Sequence, residues 1–122
     1  MKDFKRHNFK KLKIWQISME ISKLAFDLTD TFPDYEKYGL KSQIDRCSIS
    51  IPSNIAEGSS RTNKSFSHFL DVSLGSSFEL QTQILLANYR KYLSDDKCQI
   101  FEDMIEEFQR ATMVFQNTLN KD

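Results

Sequence analysis

Turn-forming residues are scarce in this 122-residue chain, which holds three glycines and two prolines. That excludes a loop-rich sandwich, and with 39% apolar and 28% charged residues the chain is not disordered; long regular elements are expected, in one domain with one core. Cysteine is as rare: Cys47 and Cys98 form no C-x-x-C pair and have no histidine at ligand spacing, so buried thiols in a reducing compartment fit better than a disulfide framework or a zinc site. The only histidines are His7 and His68, and neither belongs to the Glu-x-x-His pairs of a di-iron bundle. Glycines at 39, 58 and 75 make no phosphate loop. No run approaches the roughly eighteen apolar residues of a membrane span, and the N-terminus lacks a signal-peptide pattern. A cytoplasmic protein that does not enter a membrane is expected, with no cofactor or metal.

Net charge is also missing, with 17 basic and 17 acidic side chains, but the two signs are separated along the chain. Residues 1 to 13 carry Lys2, Lys5, Arg6, Lys10, Lys11 and Lys13 against Asp3 alone, a surplus of five, so the remainder carries a deficit of five. Asp95, Asp96, Glu102, Asp103, Glu106 and Glu107 supply most of the acid. The six basic residues are candidate phosphate contacts, in an arm over residues 1–8 and the start of the domain over 9–122; the plainer reading is a solvated terminus.

What is present in quantity is helical periodicity. Ile14, Ile17, Ile21, Leu24 and Leu28 predict a helix over about 9–31, stopped by Phe32-Pro33. Leu40, Ile44, Cys47, Ile51 and Ile55 continue at spacings of 4, 3, 4 and 4 straight past Pro52, predicting a second helix over 36–60 with a proline kink. The alternative is two shorter helices joined at Ser50 to Ser53. Thr62 or Asn63 opens a third helix whose face carries Phe66, Phe69, Leu70, Leu74, Phe78, Ile84 and Leu85 to about Tyr92. Its middle, Ser73, Gly75, Ser76 and Ser77, is small enough to admit another helix closely. Ser94 caps a fourth helix with Cys98, Phe101, Ile105, Phe108, Thr112, Phe115 and Leu119 in an unbroken stripe. Short connections between four such helices predict an all-α, antiparallel up-down-up-down four-helix bundle.

One polar line accompanies the second stripe. Arg46, Ser50, Asn54, Glu57 and Arg61 are spaced 4, 4, 3 and 4, and Glu79 and Gln83 form a matching pair one turn apart on the third helix. Three readings stand: an exposed polar face, a semi-buried network fixing helix register or an oligomer interface, and a ligand site around Glu57 with Asn54 and Arg61. Pro52 bears on the choice, because it frees the Ser48 carbonyl four residues back and that acceptor needs a partner.

Trp15, Phe32-Pro33, Tyr38-Gly39-Leu40, Gln43-Ile44-Asp45-Arg46, Ser50-Ile51-Pro52-Ser53-Asn54-Ile55-Ala56-Glu57-Gly58, Phe69-Leu70, Gly75-Ser76 and Glu79-Leu80-Gln81-Thr82-Gln83 together resemble the bacterial 23S ribosomal RNA intervening-sequence proteins, a four-helix-bundle family. The resemblance covers about residues 9 to 93. It implies a proline inside the second helix and a ring-shaped homo-oligomer, a pentamer. The family name records a genomic location rather than an activity. The related accessory proteins of diversity-generating retroelements form a similar pentameric barrel that binds nucleic acid through a basic surface; this chain differs in its zero net charge. A non-enzymatic assembly or adaptor module is the expected function, and RNA binding through the arm is the alternative.

Overall fold

The four apolar stripes become α1 (Lys13–Thr29), α2 (Leu40–Gly58), α3 (Asn63–Tyr89) and α4 (Asp95–Leu119) in the computed structural model, which describes residues 7–120. Burying the stripes draws all four helices around a single core, with Ile21, Ile44, Ile51, Phe66, Leu80, Phe101, Ile105 and Phe108 almost wholly enclosed. Each helix touches its neighbours in chain order and α4 returns to α1, while α1 and α3 do not meet. Hydrogen bonds pair residues in reversed order: Ser22 with Ser48 and Thr29 with Asp45 across α1 and α2, Ser73 with Ile51 and Ser76 with Ser50 across α2 and α3. Gln116 with Ser67 and Gln109 with Ser77 repeat the pattern across α3 and α4. Neighbouring helices therefore run in opposite directions. Among the described residues no helix is long and apolar enough to cross a membrane.

The helix boundaries differ from the sequence reading where side chains cap early. Residues Phe9–Lys11 form a separate 3-10 turn rather than the start of α1, because Asn8 accepts from the Lys10 amide at 3.2 Å and Leu12 is extended. α3 ends at Tyr89 instead of near Tyr92. Lys91 adopts φ 66°, and the amides of Lys91 and Tyr92 turn back to the carbonyls of Asn88 and Ala87, closing a Schellman motif on a non-glycine residue. Thr62 and Ser94 do cap α3 and α4, accepting from the amides of Ser65 and Lys97. α2 is one helix, uninterrupted through Pro52 and the stretch Ser50 to Ser53.

α2 also starts later than expected, at Leu40 rather than 36, because Glu36 works from outside the helix as its cap. Its Oε1 accepts from the Leu40 amide at 3.1 Å, and its Oε2 accepts from the Tyr92 hydroxyl at 2.7 Å. One carboxylate thereby ties the α1–α2 connection to the α3–α4 turn, beneath Phe32 packed on Tyr92. The Tyr92 hydrogen bond first, then the Leu40 amide, hold its pKa below the usual carboxylate value of 4.5. A depressed carboxylate contributes stability that is present above the unfolded pKa and lost as pH falls through the folded one. Glu36→Gln is therefore expected to be less stable than the parent at neutral pH. The gap should close as pH drops below about 4.5, read by urea midpoints across pH 3–7.

Candidate functional site

Small polar side chains fill the seam between α2 and α3. Ser50 Oγ lies 2.9 Å from Ser76 Oγ, and Asn54 Nδ2 donates to both the carbonyl and hydroxyl of Ser50, at 2.8 and 3.0 Å. Cys47 Sγ reaches the Ser76 carbonyl at 3.2 Å, and Ser73 Oγ donates to the Ile51 carbonyl at 2.9 Å. Side chains this short bring the two backbones together, and Gly58 continues the close approach against Phe66 and Phe69. The seam is a fastener built from hydroxyls, one thiol and one amide.

The rest of the predicted polar line does not join it. Glu57 and Arg61 pair with each other at 3.2 Å on the surface, their side chains 55% and 50% exposed, and the Arg61 guanidinium sits 5.4 Å from the Phe69 ring centre. Such a pair contributes a fraction of a kcal/mol, below about 1. Arg46 is exposed and, among the described residues, makes no hydrogen bond or ion pair. Glu79 is exposed beside Cys47, whereas Gln83 is buried with its Oε1 unpartnered, so these two do not act as a pair.

The Ser48 carbonyl released by Pro52 finds its partner on the opposite side of α2. Ser22 Oγ on α1 donates to it at 2.7 Å, in a site where Ser22 is 5% exposed and Ser48 is fully enclosed. Ser22 also reaches its own Ser18 carbonyl at 3.0 Å. Sequence reasoning placed the missing donor on the polar line and overlooked Ser18 and Ser22, two serines one turn apart beside Ile21. Hydroxyls among aliphatic neighbours were the available signal.

Chemistry needing a nucleophile has little support at this seam. Burial, and after it the Glu79 carboxylate, push the Cys47 thiol up to about 12, far from the thiolate range. No group of three or more His, Cys, Asp or Glu side chains gathers to hold a metal ion among the described residues. The cleft of about 660 Å³ between the end of α1 and the α3–α4 turn is lined by Leu24, Leu28, Tyr92 and Phe101, and neither Cys47 nor Glu57 reaches it.

Of the six basic residues, Lys2, Lys5 and Arg6 lie outside the described residues, and Lys10, Lys11 and Lys13 are exposed. The His7 amide donates to the Ser59 carbonyl at 3.2 Å, and its ring packs edge-on against Phe66 and Phe115. This roots the arm at the α2–α3 turn, the end of the bundle that also bears Arg61 and Lys64.

The outer face of α3 is the largest departure from the sequence reading. Phe78 and Leu85, expected in the core, are 48% and 47% exposed, and Val72, Leu86 and Tyr89 join them on the surface. Gly75 lies among them, exposed, and a Cβ built on it meets nothing within 4 Å. Ser73 and Ser76 serve the approach of α2 and Ser77 that of α4, but Gly75 serves neither. Phe78 and Leu85 kept the helical spacing of core residues; the stripe that α3 buries instead runs through Phe66, Leu70, Ser73, Ser77, Leu80, Ile84 and Ala87.

No curated protein matches the sequence. Among solved structures, the fold is similar to a protein with unknown function from the S23 ribosomal protein family of Bacteroides thetaiotaomicron VPI-5482. The TM-score is 0.77 at 17% identity, over 84% of this chain and 97% of that one. The 23S rRNA-intervening sequence protein model matches residues 10–113, and the chain belongs to that family.

Proposed function

We propose that this chain is a non-enzymatic assembly module that works as a homo-oligomer, with the outer face of α3 as a contact surface. Five copies in a ring is the number the family resemblance implies. The observation that carries the reading is Gly75. A glycine inside a helix costs about 1 kcal/mol against alanine, and among the described residues nothing approaches closely enough to require it. Val72 and Phe78 flank it on the surface, and Leu85, Leu86 and Tyr89 extend the exposed apolar face further along α3. A backbone left bare amid apolar side chains suits the close approach of another helix.

Light scattering and native mass spectrometry at micromolar concentration are expected to return one closed oligomer. A monomer overturns the reading. Gly75→Ala separates the two roles of the residue: the isolated chain gains about 1 kcal/mol of helix stability, while the assembly weakens several-fold because the added methyl holds the neighbour off. Thermal unfolding at a dilution that dissociates the assembly, set beside mass spectra at higher concentration, reads both effects. An assembly unchanged by the substitution removes Gly75 from the interface.

A further inference from the structure

We propose that the cleft between the end of α1 and the α3–α4 turn binds a small organic anion, a carboxylate on an apolar body, with Lys91 and Lys97 holding the carboxylate. At about 660 Å³ the cleft is in the size range of small-molecule sites, roughly 300–1,000 Å³. Leu24, Leu28, Leu93, Ile100 and Phe101 supply its apolar lining. Leu28, Leu93 and Phe101 belong to the core, at 7%, 7% and 1% exposure, so an apolar body in the cleft would rest on core side chains. Tyr92 is a further lining residue, fixed before any ligand arrives by Phe32 against its ring and by Glu36 on its hydroxyl. The contact face on α3 lies elsewhere: none of Val72, Gly75, Phe78, Leu85, Leu86 and Tyr89 lines the cleft.

The charges on the cleft select the head group. Both lysines lie on the α3–α4 side, and neither side chain makes a hydrogen bond or ion pair among the described residues. On the same side Asp95 already accepts from Asn88 Nδ2 at 3.0 Å, and Asp27 lines the cleft from α1. A carboxylate set against the α3–α4 side meets two unpaired cations, whereas an amine set against Asp27 meets one carboxylate, so the anion is the better match. Lys91 carries a second observation. It is the only non-glycine residue with positive φ among the described residues, at 66°, in the position where helices ordinarily end on glycine. A lysine there strains the backbone, and glycine would close the same Schellman motif without strain. Strain of this kind persists where a side chain is needed, and Lys91 lines the cleft.

Calorimetric titration of the full chain with decanoate, decanol and decylamine tests the site, since the three share an apolar chain and differ in head group. Decanoate is expected to bind at about 100 µM or tighter and about tenfold more tightly than decanol, with decylamine weakest. Lys91→Gly removes the cation and the strain together. Its urea midpoint should rise while decanoate affinity falls about tenfold and decanol affinity stays that of the parent. Lys97→Gln, at an exposed position in the first turn of α4, should lower decanoate affinity in the same way without the gain in stability. Ile100→Ser, at a lining position that is 51% exposed, should weaken binding of all three. Absence of decanoate binding up to about 1 mM overturns the proposal. Equal affinity for the three head groups does so too, as does tightest binding by decylamine, which would give Asp27 the leading role. Decanoate binding that neither lysine variant changes puts the anion at another place and overturns it as well.

Discussion

Gly58→Ala is expected to destabilise the chain by about 2 kcal/mol, with the urea midpoint lowered and the slope unchanged at fixed protein concentration. Gly58 is the last residue of α2 and is buried. A Cβ there would stand 2.7 Å from Phe69 Cβ and 2.8 Å from Phe66 Cδ1. Phe69 Cβ is fixed by the α3 backbone and cannot swing aside. Phe66 is wholly enclosed beneath His7 and Phe115, so its ring moves only if the base of the arm moves with it. The remaining response is separation of α2 from α3, which stretches the Ser50–Ser76 and Ser73–Ile51 hydrogen bonds about two turns along. Overpacking of this kind costs about 1–3 kcal/mol, and the helix preference of alanine returns less than about 1 at a last turn. Gly58→Val adds a branched side chain at the same contact and should be worse. The same exchange at Gly75 has the opposite sign for the isolated chain, since there the added methyl meets open space. Equal signs at the two glycines would contradict the packing described for one of them.

The reach of the sequence follows from where its signals originate. Stripes at 3 and 4 residue spacing come from burial on one side of a helix, so four helices and most of the core were legible, and the family string Ile51 to Gly58 pointed to the family. Boundaries depended on single side chains acting across the fold. Glu36 caps α2 only because Tyr92, 56 residues away, holds its other oxygen, and no local pattern announces such a pair. Phe78 and Leu85 sat at core-like spacing, yet Gln81 and Ser77 took the place opposite α4 through Gln109. A single-chain stripe cannot separate burial within the bundle from burial against another copy. The polar line was a correct observation of spacing, but its members divide between the α2–α3 seam, a surface ion pair, an isolated buried amide and the exposed Arg46 and Glu79.

Ser22→Ala is expected to cost about 1–3 kcal/mol, and nearly all of that cost should vanish in a chain that also carries Pro52→Ala. In the parent, proline at 52 has no amide hydrogen for the Ser48 carbonyl, which lies where water does not reach. Ser22 Oγ supplies the missing donor from α1 at 2.7 Å. Deleting that hydroxyl leaves a buried acceptor without a partner, the situation in which a hydrogen bond is most expensive to lose. Pro52→Ala restores the amide, the ordinary helix bond closes onto Ser48, and Ser22 keeps the Ser18 carbonyl as its acceptor. The second alanine then removes only a redundant contact. Pro52→Ala alone should be neutral or stabilising for the isolated chain, because it lifts a proline penalty of up to about 3 kcal/mol against a modest loss of groove packing. A double-mutant cycle by chemical unfolding should therefore show a coupling of about 1–3 kcal/mol between positions 30 residues apart on different helices. Additive effects would mean that the Ser48 carbonyl is satisfied in some other way. With the coupling present, the proline no longer counts as a defect in α2: it exchanges an intrahelical bond for one between helices, and its flat apolar ring lines the groove between α1 and α2.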